Sequence, residues 1–136
     1  MNKENGKDIF LQTKGLRVGY GEGIVLHGIN MKVSDESIVC LLGRNGVGKT
    51  TLLQALMGLL RPRSGKILLH DEDITNWSTD RRARAGLGYV PQDKRIFPYL
   101  SVKENILVGF EAGNEPSEDY IDYLIQLFPS LQDIQE

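Results

Sequence analysis

A glycine-rich segment narrows the possible folds of this chain more than any other feature. Residues Gly43 to Thr51 read GRNGVGKTT and fit the pattern G-x-x-x-x-G-K-[ST]. The run before it, Ile38 to Leu42, is continuously apolar, as a β-strand buried on both faces should be. After it, leucines recur at helical spacing from Lys49 to Leu60. Strand, loop and helix in this order predict a phosphate-binding loop (P-loop) rather than a structural glycine turn.

The residue types of the loop suit phosphate chemistry. Gly46 and Gly48 remove side chains that would keep backbone N–H groups away from phosphate oxygens. The positive end of the following helix points at the same place. We expect Lys49 to reach the β- and γ-phosphates, Thr50 to ligate Mg²⁺ and Thr51 to help hold the α-phosphate. The predicted nucleotide-binding residues of the loop are Gly43, Asn45, Gly46, Val47, Gly48, Lys49, Thr50 and Thr51.

The elements around the loop follow from periodicity and turn residues. Ile9–Val18 and Ile24–Val33 are predicted strands joined by the glycine-rich turn 19–23, and Pro62 is expected to end the P-loop helix. Two further strands are predicted at Lys66–Leu69 and Leu87–Val90, and a short helix at Asp80–Ala85. Another helix is predicted after Ser101, where Glu104 completes a capping box. The last predicted helix is Pro116–Phe128, with an apolar side formed by Tyr120, Leu124, Leu127 and Phe128.

Composition excludes several classes of protein. The formal net charge of -2 argues against nucleic acid as the principal partner. Arg81, Arg82 and Arg84 are interpreted as a solvated helix face. Cys40 is the only cysteine, so no intramolecular disulfide is possible, and within its apolar run we expect a buried, inert thiol. No apolar run approaches the roughly 20 residues that cross a bilayer, so any link to a membrane is expected to pass through a partner.

Two long runs resemble a known family. LLGRNGVGKTTLLQALMGLLRPRSGKILLHDEDIT and GLGYVPQDKRIFPYLSVKENI are similar to the nucleotide-binding subunits of ABC transporters, over nearly all of Leu11 to Gly109. The likeness is greatest to the importers of branched-chain amino acids and urea, and Tyr89–Gln92 with Ile96–Pro98 favours urea. The resemblance implies an α/β P-loop NTPase of ABC type. It implies an antiparallel β subdomain at 1–36, a RecA-like P-loop core at 37–92, and at 93–136 the Q-loop and the start of a helical subdomain, in which the chain is truncated.

The resemblance adds two site residues to the P-loop. Tyr20 matches the aromatic that stacks on adenine, although a lone tyrosine in a glycine-rich turn is also a common surface cap. Gln92 matches the Q-loop glutamine, whose amide oxygen reaches Mg²⁺ or the attacking water. The alternative is an ordinary turn glutamine. The resemblance thus implies Lys49 and Gln92 as catalytic residues, with Thr50 and Gln92 as Mg²⁺ ligands.

Three other segments have competing interpretations. Ile96 to Leu100 is apolar and aromatic, and by resemblance it borders the groove that receives a permease helix; packing beneath the following helix is the alternative. Ile67 to Glu72 superficially matches an apolar strand that ends in Asp-Glu, but we interpret Asp71, Glu72 and Asp73 as a solvated turn. His27 and His70 lack a second ligand nearby in sequence, so neither is expected to bind a metal.

The resemblance implies the ATP-binding, energising subunit of an importer for urea or branched-chain amino acids. ATP and Mg²⁺ are its expected cofactors, and a transmembrane permease and a second ATP-binding subunit are its expected partners at the cytoplasmic face of the inner membrane. The Leu-Ser-Gly-Gly-Gln signature, the true Asp-Glu strand and the switch histidine have no match. We therefore expect the 136 residues to bind Mg-ATP without useful turnover. The alternatives are a truncated nucleotide-binding protein, a DNA-repair type ATPase, for which heptad arms are lacking, and a GTPase, for which a guanine-reading motif is lacking.

Overall fold

The computed structural model of the chain describes residues 3–4, 7–93, 96–110 and 118–128. It divides into two compact units, Met1–Gly88 and Tyr89–Glu136, which are treated separately below. The elements in chain order are β1 (Lys3–Glu4), β2 (Lys7–Tyr20), β3 (Gly23–Ser34), α1 (Lys49–Leu56), β4 (Ser64–Leu69), β5 (Glu72–Asp73), α2 (Thr79–Arg84), α3 (Val102–Val108) and α4 (Glu118–Leu127).

The first unit is built on an antiparallel sheet with the long strand β2 at its centre. β2 pairs with β3 along the hairpin that closes at Tyr20 opposite Gly23, and with β4 in the register that places Leu11 opposite Leu69. The short strands β1 and β5 extend the sheet beside β2 and β4. The predicted strands at 9–18, 24–33 and 66–69 are confirmed, each slightly longer than the pattern indicated.

Alternation along the strands puts one apolar face of the sheet against α1. Leu16 and Val18 of β2, Leu26 of β3 and Ile67 of β4 are buried in one cluster with Leu52 of α1. Burying an aliphatic side chain of this size stabilises a fold by about 1.5–3 kcal/mol relative to leaving it exposed. The apolar face of the P-loop helix therefore docks it onto the sheet, and this fixes the position of the loop at its N-terminus.

The P-loop helix ends earlier than the sequence predicts. Its predicted end lay at Leu60, before Pro62, but α1 ends at Leu56. Gly58 has a φ of +79°, a left-handed backbone conformation that ends an α-helix. Its N–H donates to the Ala55 carbonyl at 3.1 Å. The glycine, and not the proline, sets the boundary.

Two predicted strands are not formed, and this corrects the sequence interpretation. Residues 38–42 and 87–90 have no strand assignment, and Ile38, Leu42 and Val90 are almost fully exposed. Cys40 is exposed as well, so the expected buried thiol is wrong. A strand buried on both faces needs neighbouring strands and covering helices. Among the residues that the structure describes, strand pairing is confined to β1 to β5, so neither segment has the paired neighbours that a buried strand needs.

In the second unit, α3 begins with the predicted capping box. The Ser101 hydroxyl accepts from the Glu104 N–H at 3.3 Å, and the Glu104 carboxylate accepts from the Ser101 N–H at 2.7 Å. The carboxylate also accepts from the Ser101 hydroxyl at 2.8 Å, and its two bonds from the Ser101 N–H and hydroxyl lower the pKa of Glu104. The capping box satisfies two N–H groups at the start of the helix. The predicted helix start after Ser101 is confirmed.

The second helix of this unit, α4, buries a different face from the one predicted. Ile121 and Ile125 are its buried residues, whereas Tyr120, Leu127 and Phe128 are largely exposed. Residues four apart share one side of a helix, so the two isoleucines form the buried stripe. The predicted start at Pro116 lies outside the described residues.

Candidate functional site

The P-loop leads into α1 through two glycines with left-handed backbones. Gly46 has a φ of +82° and Gly48, the residue that precedes the helix, a φ of +99°. The dihedral angle favours glycine, and a Cβ on Gly48 would also lie 2.7 Å from Cδ2 of Leu26, whose side chain would have to shift. The first turn of α1 contains no acidic residue. Its positive end is therefore free of a carboxylate that would repel an anion.

Lys49 folds its side chain back over the loop. Its ammonium group donates to the carbonyl oxygens of Gly43 and Arg44, each at 2.7 Å. The side chain thus spans the loop from its last residues to its first. A phosphate group held by the loop would compete with these two carbonyls for the ammonium protons, and a phosphate carries the full negative charge that a carbonyl lacks. The arrangement can accept a phosphate chain by exchanging these acceptors.

Tyr20, at the end of β2, reaches the P-loop helix. Its hydroxyl donates to Oε1 of Gln54 at 3.0 Å and lies 3.4 Å from Oγ1 of Thr51, 31 residues away in sequence. The residue is 52% exposed. The fold therefore brings together two features that the sequence indicated separately, the aromatic residue and the P-loop helix.

The hairpin tip (residues 19–23) that carries Tyr20 is held from a second side. A Cβ on Gly19 would meet the Gly23 carbonyl oxygen at 1.8 Å, so the tip closes only with glycine there. The Arg63 N–H donates to the Arg17 carbonyl at 2.8 Å, and its guanidinium donates to the Gly21 carbonyl. Sequence reasoning missed Arg63 and Gln54. Neither belongs to a motif, because each acts through the tertiary position of the tip.

Arg82 contradicts the interpretation of the basic cluster as a solvated face. It is only 1% exposed, and burial lowers the pKa of its guanidinium. The guanidinium donates to carbonyl oxygens at the end of α1 and in the segment after β5, and the acceptors are Ala55 (2.9 Å), Leu56 (2.6 Å), Ile74 (2.8 Å), Thr75 (2.9 Å) and Trp77 (3.3 Å). A cation is favourable at the negative end of a helix, and here it caps the P-loop helix.

The other two arginines of the cluster are exposed, as predicted. Arg84 lies 3.9 Å from Asp80 in a surface ion pair, and Arg81 stacks over the Trp77 ring at 3.7 Å. A sequence of three closely spaced arginines gives no sign of which one turns inward. Only the packing of α2 against the end of α1 decides it.

Gln92 belongs to the second unit and is exposed, in a segment without regular secondary structure. Its role as a Q-loop residue stays a prediction. The next two residues, 94 and 95, lie outside the part of the chain that the structure describes.

The acidic run after β4 is solvent-exposed, as predicted, but it is not simply a turn. His70 and Asp71 have positive φ angles and close a hairpin, after which Glu72 and Asp73 pair with β4 as the strand β5. Thr75 donates to the Asp73 carboxylate from its N–H at 3.0 Å, and Lys66 lies 3.2 Å from it. The Thr75 hydrogen bonds, followed by Lys66, lower the pKa of Asp73.

The apolar segment 96–100 is exposed and held by one side chain. Asn105 of α3 accepts from the Phe97 N–H at 2.8 Å and donates to the carbonyl oxygens of Phe97 and Leu100, each at 3.0 Å. Phe97 and Tyr99 remain open to solvent. Packing beneath the following helix does not account for these side chains, and the docking interpretation stays a prediction.

Metal-binding clusters and membrane-spanning helices are both absent from the described residues. They hold no group of three or more His, Cys, Asp or Glu side chains placed to bind a metal ion. None of their helices combines the length and apolar character that a membrane span requires.

The chain is similar in sequence to known proteins. A family model described as "ABC transporter" matches residues 26–134. The "Probable branched-chain amino acid transport ATP-binding protein" of Archaeoglobus fulgidus is 33% identical over 123 residues, which are 90% of this chain and 52% of that protein. The lipopolysaccharide export system ATP-binding protein of Acidithiobacillus ferridurans is 40% identical over 102 residues, 75% of this chain and 42% of that protein. The chain spans about half the length of the curated relatives it matches.

Solved structures agree on the fold. A structure described as the ATP-binding subunit of an ABC transporter superposes with a TM-score of 0.79 at 25% identity, over 93% of this chain and 52% of that one. The predicted fold class is confirmed. The predicted importer branch is not confirmed, because an exporter subunit stands beside the branched-chain amino acid protein among the relatives.

Proposed function

The chain belongs to the ABC transporter family, and we propose that it is the front part of an ATP-binding subunit that energises solute transport. The observation that carries this proposal is the meeting of Tyr20 with the P-loop helix at Gln54 and Thr51. An aromatic face beside a phosphate-binding loop suits a ligand with a base at one end and phosphates at the other.

In the proposed complex, the loop residues 43–51 hold the phosphates of ATP and Tyr20 stacks on adenine. The glycine geometry at 46 and 48 supports backbone approach to phosphate. Lys49 already lies across the loop and would turn to the β- and γ-phosphates. Thr50 and Gln92 would ligate Mg²⁺, which supplies charge neutralisation at the phosphates.

Turnover needs more than nucleotide binding. Hydrolysis requires an oriented water and a base as well as bound phosphate and metal. We propose that residues 1–36 form the β subdomain, 37–92 the P-loop core and 93–136 the Q-loop and the start of the helical subdomain. In that arrangement the 136 residues bind Mg-ATP, and hydrolysis belongs to a longer subunit paired with a second copy. The alternative is a protein whose only activity is nucleotide binding.

For the whole transporter, we propose an importer of branched-chain amino acids or urea, in which this subunit binds a transmembrane permease at the cytoplasmic face of the inner membrane. The name of the Archaeoglobus fulgidus relative supports the amino acid assignment. The exposed residues Phe97 and Tyr99 support a docking surface for the permease. The solute itself is selected by other subunits, since a phosphate-binding site does not contact it.

Binding of Mg-ATP to the purified chain tests the nucleotide proposal. Isothermal titration calorimetry should give a saturable affinity that Lys49→Ala abolishes and that Lys103→Ala, a change on α3 in the second unit, leaves unchanged. GTP should compete no better than ATP. An affinity that is the same in Lys49→Ala would remove the proposed site. Phosphate release by the purified chain above a trace rate would exclude binding as its only activity.

A further inference from the structure

The Tyr20 hydroxyl lies between two polar side chains of α1. It donates to Oε1 of Gln54 at 3.0 Å and lies 3.4 Å from Oγ1 of Thr51. A phenol hydroxyl has one proton to donate. While that proton is on the Gln54 bond, the contact with Thr51 must use the proton of Thr51.

Thr51 has one hydroxyl proton as well, so its two possible partners compete. If Thr51 donates to a phosphate oxygen of a bound nucleotide, it can no longer donate to Tyr20. The bond from Tyr20 to Gln54 is not affected by this exchange, because it uses the proton of Tyr20 itself. Gln54 is therefore the α1 partner that can keep Tyr20 in place when phosphate occupies the loop.

We propose that Gln54 is a positioning residue for nucleotide binding. Its amide oxygen holds the ring of Tyr20 beside the P-loop while Thr51 turns to the phosphates. This inference rests on the proposed stacking of adenine on Tyr20. It assigns to Gln54 a part of the preference for a nucleoside triphosphate over a bare phosphate chain.

The benefit of such an anchor is preorganisation. Tyr20 is half exposed at a hairpin tip. Without the hydrogen bond to Gln54, its side chain would become ordered only when the ligand binds, and the lost conformational entropy would lower the affinity. The free energy of a typical hydrogen bond corresponds to a loss in affinity of about 2- to 10-fold. Only a ligand with a base contacts the Tyr20 ring, so the affinity for ATP should fall while the affinity for tripolyphosphate stays unchanged.

The test compares the dissociation constants of Mg-ATP and Mg-tripolyphosphate, measured by calorimetry on the purified chain. Tyr20→Phe and Gln54→Leu should each reduce the preference for ATP over tripolyphosphate by about 2- to 10-fold. The double variant should lose no more than either single one. Gln54→Glu keeps an acceptor for the Tyr20 hydroxyl and should keep the preference for ATP over tripolyphosphate, even if its negative charge lowers the affinity for both ligands equally. Matched controls are Tyr123→Phe and Gln126→Leu on the exposed side of α4.

Each other outcome refutes a specific step. If Tyr20→Ala lowers the preference while Tyr20→Phe and Gln54→Leu do not, the positioning role is wrong and stacking stands. If Tyr20→Ala leaves the preference unchanged, the proposed stacking fails and this inference fails with it. Equal losses for both ligands in Gln54→Leu would show that Gln54 acts on the loop and not on the ring. Should Gln54→Leu unfold the chain, Tyr20→Phe and Gln54→Glu still decide between these results.

Discussion

Replacing Arg82 by Met should be among the most destabilising single changes in the first unit. Met keeps most of the apolar stem but removes the guanidinium. Two of its acceptors, the carbonyls of Ala55 and Ile74, also accept backbone N–H groups, from Gly58 and Trp77. The carbonyls that depend most on Arg82 are those of Leu56, Thr75 and Trp77.

The magnitude follows from these acceptors. Leaving a buried acceptor without its donor costs about 1–3 kcal/mol, and the Leu56 carbonyl bond is fully buried while the other two are partly so. Removing the charge recovers part of its desolvation cost. We expect a net loss of about 3–5 kcal/mol in the free energy of unfolding. That is a large part of the roughly 5–15 kcal/mol that stabilises a typical domain.

Trp77, the only tryptophan, is a direct reporter, because its carbonyl accepts from Arg82. Urea unfolding followed by its fluorescence and by far-UV circular dichroism should show a midpoint lowered by about 2 M, for a denaturant dependence of about 1–3 kcal/mol per M. Arg84→Met, at an exposed surface ion pair, should stay within about 0.5 kcal/mol of the parent. Equal midpoints for Arg82→Met and Arg84→Met would refute the reasoning that the buried hydrogen bonds hold α1 to the segment after β5.

Three further changes test other parts of the molecule. Lys49→Ala should raise the dissociation constant for Mg-ATP at least 100-fold, about 2.7 kcal/mol, since it removes the ammonium that lies across the loop; calorimetry measures this directly. Asp73→Asn should remove a small pH-dependent stabilisation of the folded chain. The pKa of Asp73 is lower in the folded chain than in the unfolded chain, so the ionised carboxylate stabilises the fold at pH values above the unfolded pKa. This stabilisation is lost as the pH falls through the folded pKa. Because Asp73 is largely exposed, the difference should be a few tenths of a kcal/mol near pH 7, vanishing in acid, as thermal unfolding across pH would show. Asn105→Ala should speed hydrogen exchange at the Phe97 N–H at least tenfold, whereas unchanged exchange would mean that the segment 96–100 is held by other contacts.

Local features of the chain were predictable because their causes are local. The hairpin of β2 and β3, the strand β4 and the capping box of Ser101 and Glu104 follow from alternation and turn chemistry within a few residues. The glycine loop and the helix after it were predictable for the same reason, since loop glycines and a following apolar helix are adjacent in sequence. The end of α1 was missed because Gly58 stops the helix before Pro62 can.

The non-local parts of the site were not predictable. Nothing in the sequence distinguishes Arg82 from Arg81 and Arg84, and Gln54 carries no motif. Their roles depend on which carbonyls and hydroxyls the folded chain brings within about 3 Å. The strand expected at 38–42 shows the reverse error, because apolar composition indicates a preference for burial but does not supply a neighbouring strand.

The sequence by itself determined that a glycine-rich loop would precede an apolar helix, because spacing and residue size govern backbone conformation over a few residues. Only the tertiary structure decided that Tyr20 meets Gln54 and Thr51, and that Arg82 caps the P-loop helix. These contacts join residues about 26 to 34 positions apart. The packing of the sheet, the hairpin tip and α2 on α1 determines which residues make these contacts, and short-range sequence patterns do not predict that packing.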